Sequence, residues 1–123
     1  MTRRHGELES QVLDAIWSLE ESGQEIITSS DVLNRLDGSE SIALTTVLTI
    51  LSRLSDKELI TRTKTNGRTL SFRSVRGRTE QAALALIELI EMSDNPELVV
   101  SHFVGSLPRN LQASLRQKLS KNK

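Results

Sequence analysis

The chain contains no cysteine and no tyrosine, and its only aromatic residues are Trp17, Phe72 and Phe103. Without cysteine there is no disulfide, no thiol redox chemistry and no thiolate metal site, which agrees with a reducing cytoplasm as the expected location. Because aromatic residues are scarce, the core must consist of Leu, Ile, Val and Ala. The 123 residues are enough for one domain, or for one domain with an appendage.

Long apolar segments are also missing. No apolar run approaches the roughly 18 residues of a membrane span, and the start, MTRRHGELES, lacks the apolar region of a secretory signal. The only histidines, His5 and His102, have no second metal ligand at helical spacing. There is no pairing of a nucleophile with a base and no phosphate-binding glycine loop. We therefore expect no membrane association, no metal, no cofactor and no enzymatic activity.

The formal net charge is zero, but the charges are unevenly distributed. Between residues 7 and 40, nine acidic residues accompany a single basic one, Arg35. Between residues 52 and 78, eight basic residues accompany only Asp56 and Glu58. A basic segment of this kind is the electrostatic signature of a surface that contacts phosphates.

Apolar residues at helical spacing predict three helices in the first half of the chain. The first covers residues 7–19. The second is short, 31–36, and the hydroxyl groups of residues 28–30 are suited to cap its start. The third covers residues 43–57. The apolar stripe that we expect to face the core in the third helix consists of Leu44, Val47, Leu48, Leu51 and Leu54.

A β-hairpin is predicted directly after the third helix. Two β-branched runs, 59–65 and 68–74, flank Asn66-Gly67. This dipeptide favours a two-residue turn in which both positions have positive φ. The hairpin side chains that we expect to face the helices are Ile60, Leu70 and Phe72. Those that we expect to remain in solvent are Arg62, Lys64 and Arg73.

Three further helices are predicted in the last third of the chain. Thr79 is expected to cap the first of them, Pro96 to take the first position of the second, and Pro108 to open the third. All three have apolar faces, although the preceding residues already close a core of their own. The side chains that we expect to be buried between two copies of the chain are Leu84, Ile87, Ile90, Val99, Phe103, Leu111 and Leu115.

Three helices followed by a hairpin is the order of a winged helix, in which the second helix of the helix-turn-helix pair enters the DNA major groove. The third helix presents short hydroxyl side chains, which can approach base edges and form hydrogen bonds with them. The hairpin residues expected to neutralise phosphates are Arg62, Lys64 and Arg68.

Three segments in this order resemble the BlaI/MecI/CopY penicillinase-repressor family: GELESQVLDAIWSL, LTTVLTILSRLSDKELI and TRTKTNGRTLSFR. The resemblance extends over about residues 6–120, and its most specific part is the Thr-Val-x-Thr-x-Leu-x-Arg-Leu pattern that begins at Thr46. It implies a bacterial winged-helix repressor that dimerises through its C-terminal helices and binds a palindromic operator. The DNA contacts that it implies for the third helix are Thr45, Thr46, Thr49, Ser52 and Arg53.

The chain departs from the family pattern at a few positions. Leu44 stands where many members have Tyr or Trp. Glu58 stands where many have Gly, and a positive φ there would be strained. The family also implies a regulatory protease as a partner, but its best-known cleavage site, an Asn-Phe bond, is replaced here by His102-Phe103. The copper-responsive branch requires a C-terminal cysteine cluster, which this chain lacks.

The expected fold is mostly α with a small β-hairpin: a winged helix-turn-helix domain at residues 6–76 and a helical dimerisation region at 77–123. The expected function is a sequence-specific transcriptional repressor that acts as a cytoplasmic homodimer on a palindromic operator in double-stranded DNA. The alternative is a winged-helix module that docks a partner protein without reading bases, which the zero net charge leaves open.

Overall fold

The computed structural model describes residues 5–121, with side chains from residue 7 onward. Its helices are α1 (His5–Glu21), α2 (Ser29–Arg35), α3 (Leu44–Asp56), α4 (Arg78–Met92), α5 (Pro96–Ser106) and α6 (Arg109–Lys121). The antiparallel strands β1 (Ile60–Lys64) and β2 (Leu70–Ser74) follow α3, and a 3₁₀ turn, Ser39–Ser41, precedes it. The predicted fold class, mostly α with a winged-helix order, is confirmed. Among the described residues, no helix is long and apolar enough to cross a membrane.

The chain divides into two compact units, Met1–Gln81 and Ala82–Lys123. The first unit has an apolar core to which α1, α2, α3 and both strands contribute. Apart from Phe72, every apolar side chain in this core is aliphatic, as the scarcity of aromatics requires. Full burial of each large aliphatic side chain stabilises the fold by roughly 1.5–3 kcal/mol. The largest fully enclosed side chains are Ile16, Ile27, Ile50, Leu51, Leu54 and Ile60.

A capping box starts α2. The hydroxyl of Thr28 accepts a hydrogen bond from the Asp31 amide at 3.2 Å, and the Asp31 carboxylate accepts one from the Thr28 amide at 3.0 Å. The helix therefore begins at Ser29, two residues earlier than predicted. A helix of seven residues is marginal by itself, so this reciprocal cap and the burial of Val32 hold α2 in place.

Two helices of the first unit end in Schellman motifs. After α1, the Gln24 amide bonds to the Leu19 carbonyl at 3.1 Å, and Gly23 between them has φ 91°. After α3, the Leu59 amide bonds to the Leu54 carbonyl at 3.0 Å, and Glu58 has φ 62°. Among residues 5–121, Glu58 is the one non-glycine residue with positive φ. It therefore adopts a left-handed conformation that is strained for a residue with a side chain and that glycine adopts without strain.

The hairpin loop is longer than the predicted two-residue turn. Lys64 pairs with Leu70, and the Thr65 amide donates to the Thr69 carbonyl at 2.8 Å, so Asn66, Gly67 and Arg68 form the tip. Only Gly67 has positive φ in this loop. The prediction of a two-residue turn was wrong: Thr65 pairs with Thr69 instead of Arg68, and the Thr65 hydroxyl also donates to the Thr69 carbonyl, at 3.0 Å, so the loop is one residue longer.

The segment before α2 runs beside β2, a feature that the sequence analysis missed. The Phe72 amide donates to the Ile27 carbonyl at 2.8 Å. In return, the Ile27 amide donates to the Ser71 hydroxyl at 3.1 Å rather than to a backbone carbonyl. Ser71 is the one buried polar side chain among the described residues. It therefore joins the start of α2 to the hairpin.

The buried side of α3 differs from the predicted apolar stripe. Val47, Leu51 and Leu54 are buried as expected, together with Ile50, which was not assigned to the stripe. Leu44 and Leu48 instead face solvent, with 39% and 42% of their surface exposed. The predicted inward position of these two leucines was wrong because the core lies on the Val47–Ile50 side of the helix, about a quarter turn away.

The C-terminal helices start at recognisable signals. Pro96 takes the first turn of α5, and the Asn95 side chain caps it by accepting a hydrogen bond from the Leu98 amide at 3.1 Å. The helix α4 begins at Arg78, and the Gln81 amide closes its first turn on the Gly77 carbonyl at 3.0 Å. The predicted cap at Thr79 was therefore wrong, since Thr79 already lies inside the helix.

Candidate nucleic-acid interface

The exposed face of α3 carries every residue of this helix that is predicted to contact DNA. Val47, Ile50, Leu51 and Leu54 hold the opposite side of this helix in the core. A helix so anchored presents its other side to a ligand without rearrangement. The predicted residues, all of which are exposed, are Thr45, Thr46, Thr49, Ser52 and Arg53.

One of these hydroxyl groups is already engaged. The Thr49 hydroxyl donates to the Thr45 carbonyl within α3 at 3.0 Å. Because a hydroxyl has one proton to donate, Thr49 retains for a ligand its methyl group and the acceptor lone pairs of its oxygen but no donor. The outer face of α3 is therefore less rich in hydrogen-bond donors than its threonine content indicates.

The three cations predicted for phosphate contact are exposed on the hairpin. Arg62 and Lys64 lie on β1, and Arg68 lies at the tip of the loop. Within residues 5–121, none of the three forms a salt bridge. Their charges are therefore not neutralised by neighbouring acidic side chains and are available to phosphates.

Other cations of the basic segment are held by acidic side chains of α1. Lys57 forms a salt bridge with Glu9 at 2.8 Å. Arg73 lies 3.7 Å from the Glu20 carboxylate and also donates to the Glu25 carbonyl at 3.0 Å. The acidic N-terminal stretch thus neutralises one part of the basic segment and leaves the hairpin tip positive, which explains how a chain of zero net charge can present a cationic surface.

A recess lies between the start of α2, α3 and the hairpin. Its apolar walls include Leu48, Leu70 and Phe72, and the guanidinium-bearing residue Arg68 also lines it. Hydroxyl-bearing residues complete the lining: Thr28, Ser29, Ser30 and Thr69. The recess therefore combines an apolar wall with a positive charge and hydroxyl groups, next to the predicted base-reading face.

The residues that follow β2 are fastened to α1. The indole Nε1 of Trp17 donates to the Arg76 carbonyl at 2.9 Å, and the Arg78 guanidinium lies 5.2 Å from the centre of the Trp17 ring. Arg78 also forms salt bridges with Glu21 and Asp14, whose carboxylates raise the pKa of the guanidinium above its usual value. These contacts, all within the first unit, hold Arg76 and Arg78 against α1.

None of the residues of α4, α5 and α6 is buried, and most of α4 and all of α5 and α6 belong to the second unit. Among the residues predicted at a dimer interface, Ile87, Val99, Phe103 and Leu111 are exposed. The remaining three, Leu84, Ile90 and Leu115, are half-buried. Several other apolar side chains of this unit are also exposed, although they were not predicted at the interface: Leu86, Leu89, Met92, Leu98, Val100 and Leu119.

The peptide bond that replaces the family's cleavage site lies inside a helix. His102 and Phe103 are exposed residues in the second half of α5. Because a helical peptide bond has its backbone groups in intrahelical hydrogen bonds, a protease gains access to it only after α5 opens locally.

Comparison with known proteins identifies the family. The penicillinase repressor profile matches residues 5–121. The chain belongs to this family. Two relatives, the transcriptional regulator BlaI of Mycobacterium tuberculosis strains CDC 1551 / Oshkosh and ATCC 25618 / H37Rv, are each 30% identical over 120 residues, which is 95% of this chain and 83% of theirs. A solved structure of a Lactococcus lactis ZitR mutant has a TM-score of 0.42 at 17% identity and covers 91% of this chain and 70% of its own.

The resemblance to the penicillinase repressors is thus confirmed over nearly the whole chain. The protein is a transcriptional regulator of a DNA-binding repressor family with a winged-helix order of elements. This family is not a class of enzymes.

Proposed function

We propose that the protein is a sequence-specific repressor that binds a palindromic operator as a homodimer. Residues 6–76 bind DNA and residues 77–123 form the dimer. The observation that carries the proposal is the combination, in one unit, of a core-anchored helix with an exposed hydroxyl face and an adjoining hairpin. The hairpin cations, Arg62, Lys64 and Arg68, form no salt bridge within residues 5–121.

In this proposal α3 enters the major groove and the hairpin lies along the phosphates. Thr45, Thr46 and Ser52 form hydrogen bonds with base edges or nearby phosphates, Thr49 offers its methyl group, and Arg53 reaches a base or a phosphate. Short side chains suit this position because they let the helix backbone approach the floor of the groove. Long acidic side chains would repel the phosphates.

The dimer is supported by the exposed apolar surface of the second unit. A unit of about 40 residues usually cannot fold without a metal, disulfides or a partner chain, and this chain has no cysteine. Apolar side chains such as Leu89, Met92 and Leu119 are 66%, 81% and 62% exposed. A second copy of the same unit covers such a surface symmetrically, and its two-fold axis matches that of a palindrome.

The test is a fluorescence-anisotropy titration of the full chain with DNA from its own upstream region, against a scrambled duplex, at several salt concentrations. We expect tight binding to the native fragment only. With three hairpin cations in each of two protomers, the salt slope should correspond to about six phosphate contacts. Binding that ignores both DNA sequence and salt would contradict the proposal and favour a winged helix that docks a partner protein.

A further inference from the structure

Leu44 and Leu48 form an exposed apolar pair on α3. They are 39% and 42% exposed, and since residues four apart lie on the same side of a helix, they form one strip. Single exposed leucines on a protein surface need no explanation. This pair differs because it lies on the helix that we propose to place in the major groove, directly beside the hydroxyl face.

The neighbours of Leu48 make its surroundings more apolar. Thr49 commits its hydroxyl proton to the Thr45 carbonyl at 3.0 Å, which leaves a ligand its methyl group and an acceptor oxygen but no donor. On the other side, Leu48 lines the recess with Leu70 and Phe72. The edge of α3 that faces the hairpin is therefore apolar.

The positive charge beside this apolar edge indicates which kind of ligand the edge contacts. Arg68 lines the same recess as Leu48 and forms no salt bridge within the described range. Ser29 and Ser30, which carry hydroxyl groups, line the same recess. A cation with hydroxyls around it suits the phosphates of a nucleic-acid strand. In the major groove, the apolar group that a base edge offers is the C5-methyl of thymine.

We propose that Leu48 determines part of the sequence specificity of this repressor by contacting a thymine methyl group in each half-site. The inference rests on the proposed function, because it requires α3 to lie in the major groove. The spacing of Leu48 in the sequence predicts that it lies in the core, whereas in this proposal it makes an apolar contact with DNA.

The experiment removes the methyl group without changing base pairing. A duplex is first enriched from a randomised pool by the full-length protein. Each thymine is then replaced in turn by deoxyuracil, which lacks only the C5-methyl, and binding is measured by fluorescence anisotropy. At one or more symmetric positions we expect the wild-type affinity to fall about three- to fivefold per methyl group.

Leu48→Ala should bind the unsubstituted duplex more weakly and should not distinguish thymine from deoxyuracil at those positions. Val75→Ala serves as the matched control, since Val75 is a 45% exposed apolar residue outside α3, and it should keep the full discrimination. Thermal unfolding verifies that both variants fold. The deoxyuracil series on the wild-type protein tests the methyl contact even if Leu48→Ala does not fold.

Three results would overturn the inference in different ways. If no deoxyuracil substitution weakens wild-type binding, no thymine methyl is read. If the wild type and Leu48→Ala lose affinity equally, another side chain reads it. If the protein enriches no duplex from the pool, the proposed function itself is wrong and the inference falls with it.

Discussion

Gly23 and Glu58 occupy the same position in two Schellman motifs, with φ 91° and 62°. A left-handed conformation costs a non-glycine residue roughly 1–2 kcal/mol. Glycine avoids this cost but loses more backbone entropy on folding. The two helix ends are therefore an internal comparison of the same backbone geometry with and without a side chain.

Glu58→Gly should raise the free energy of unfolding by about 0.5–1 kcal/mol, because relief of the left-handed strain exceeds the added entropy cost. The reverse change at the matched position, Gly23→Ala, should lower it by about 1 kcal/mol; a Cβ there meets no atom within 4 Å, so only the backbone is affected. Urea unfolding measures both. A loss of stability in Glu58→Gly would show that the Glu58 side chain stabilises the fold through contacts of its own.

Arg68→Ala should weaken binding to operator and random DNA alike and should reduce the salt slope by about one unit for each phosphate that the hairpin no longer neutralises. The reason is that Arg68 is exposed at the hairpin tip and is proposed to contact a phosphate, which carries no sequence information. Anisotropy titrations at several salt concentrations measure the effect.

Arg73→Ala is the matched control for Arg68→Ala, since it removes a cation from the same hairpin. Arg73 donates to the Glu25 carbonyl at 3.0 Å and lies 3.7 Å from Glu20. Its removal should leave the salt slope unchanged and cost at most about 1 kcal/mol of stability. If both variants change the salt slope equally, the distinction between cations held by acidic side chains and cations available to phosphates is wrong.

Thr46→Ala should weaken binding to the operator more than binding to random DNA, so that the ratio of the two affinities falls. A base contact contributes about 1–3 kcal/mol of discrimination when it is well formed, and Thr46 is exposed on α3. Thr49→Ala should act in the same direction. Competition titrations with unlabelled random DNA measure the ratio, and an unchanged ratio in both variants would contradict the groove assignment.

Phe103→Glu should raise the dimer dissociation constant about a hundredfold or more, because an unpaired charge buried in an interface costs about 3 kcal/mol or more. Phe103 is 44% exposed in the chain by itself and is expected at the interface. Sedimentation equilibrium measures the change, and Gln117→Glu, which also adds an acidic group at an exposed position of α6, is the control. An unaltered dimer in Phe103→Glu would place the interface elsewhere.

Ser71→Ala should lower the free energy of unfolding by about 1–3 kcal/mol, because it leaves the buried Ile27 amide without its acceptor. Ser71→Thr retains the hydroxyl and should recover part of this stability. Urea unfolding of the two variants separates the hydrogen bond from the change in side-chain volume. Equal stability of Ser71→Ala and the wild type would mean that water replaces the hydroxyl.

The sequence by itself determined the elements and their order, because the signals for them are local. Thr28 and Asp31 are three residues apart and start α2, and Asn95 and Pro96 are adjacent and start α5. On β2, the burial of Phe72 and the exposure of its neighbour Arg73 also follow from strand geometry alone. The same local patterns carried the resemblance to the repressor family.

Only the tertiary structure decided which side of α3 enters the core and which cations are neutralised. Leu48 and Ile50 are equally apolar in the sequence, and the packing partners of α3 select Ile50. Arg73 and Arg68 lie in the same basic segment, but Arg73 is held by residues 48 and 53 positions earlier in the chain, Glu25 and Glu20. Contacts over such separations leave no periodic pattern in the sequence, so packing alone sets them.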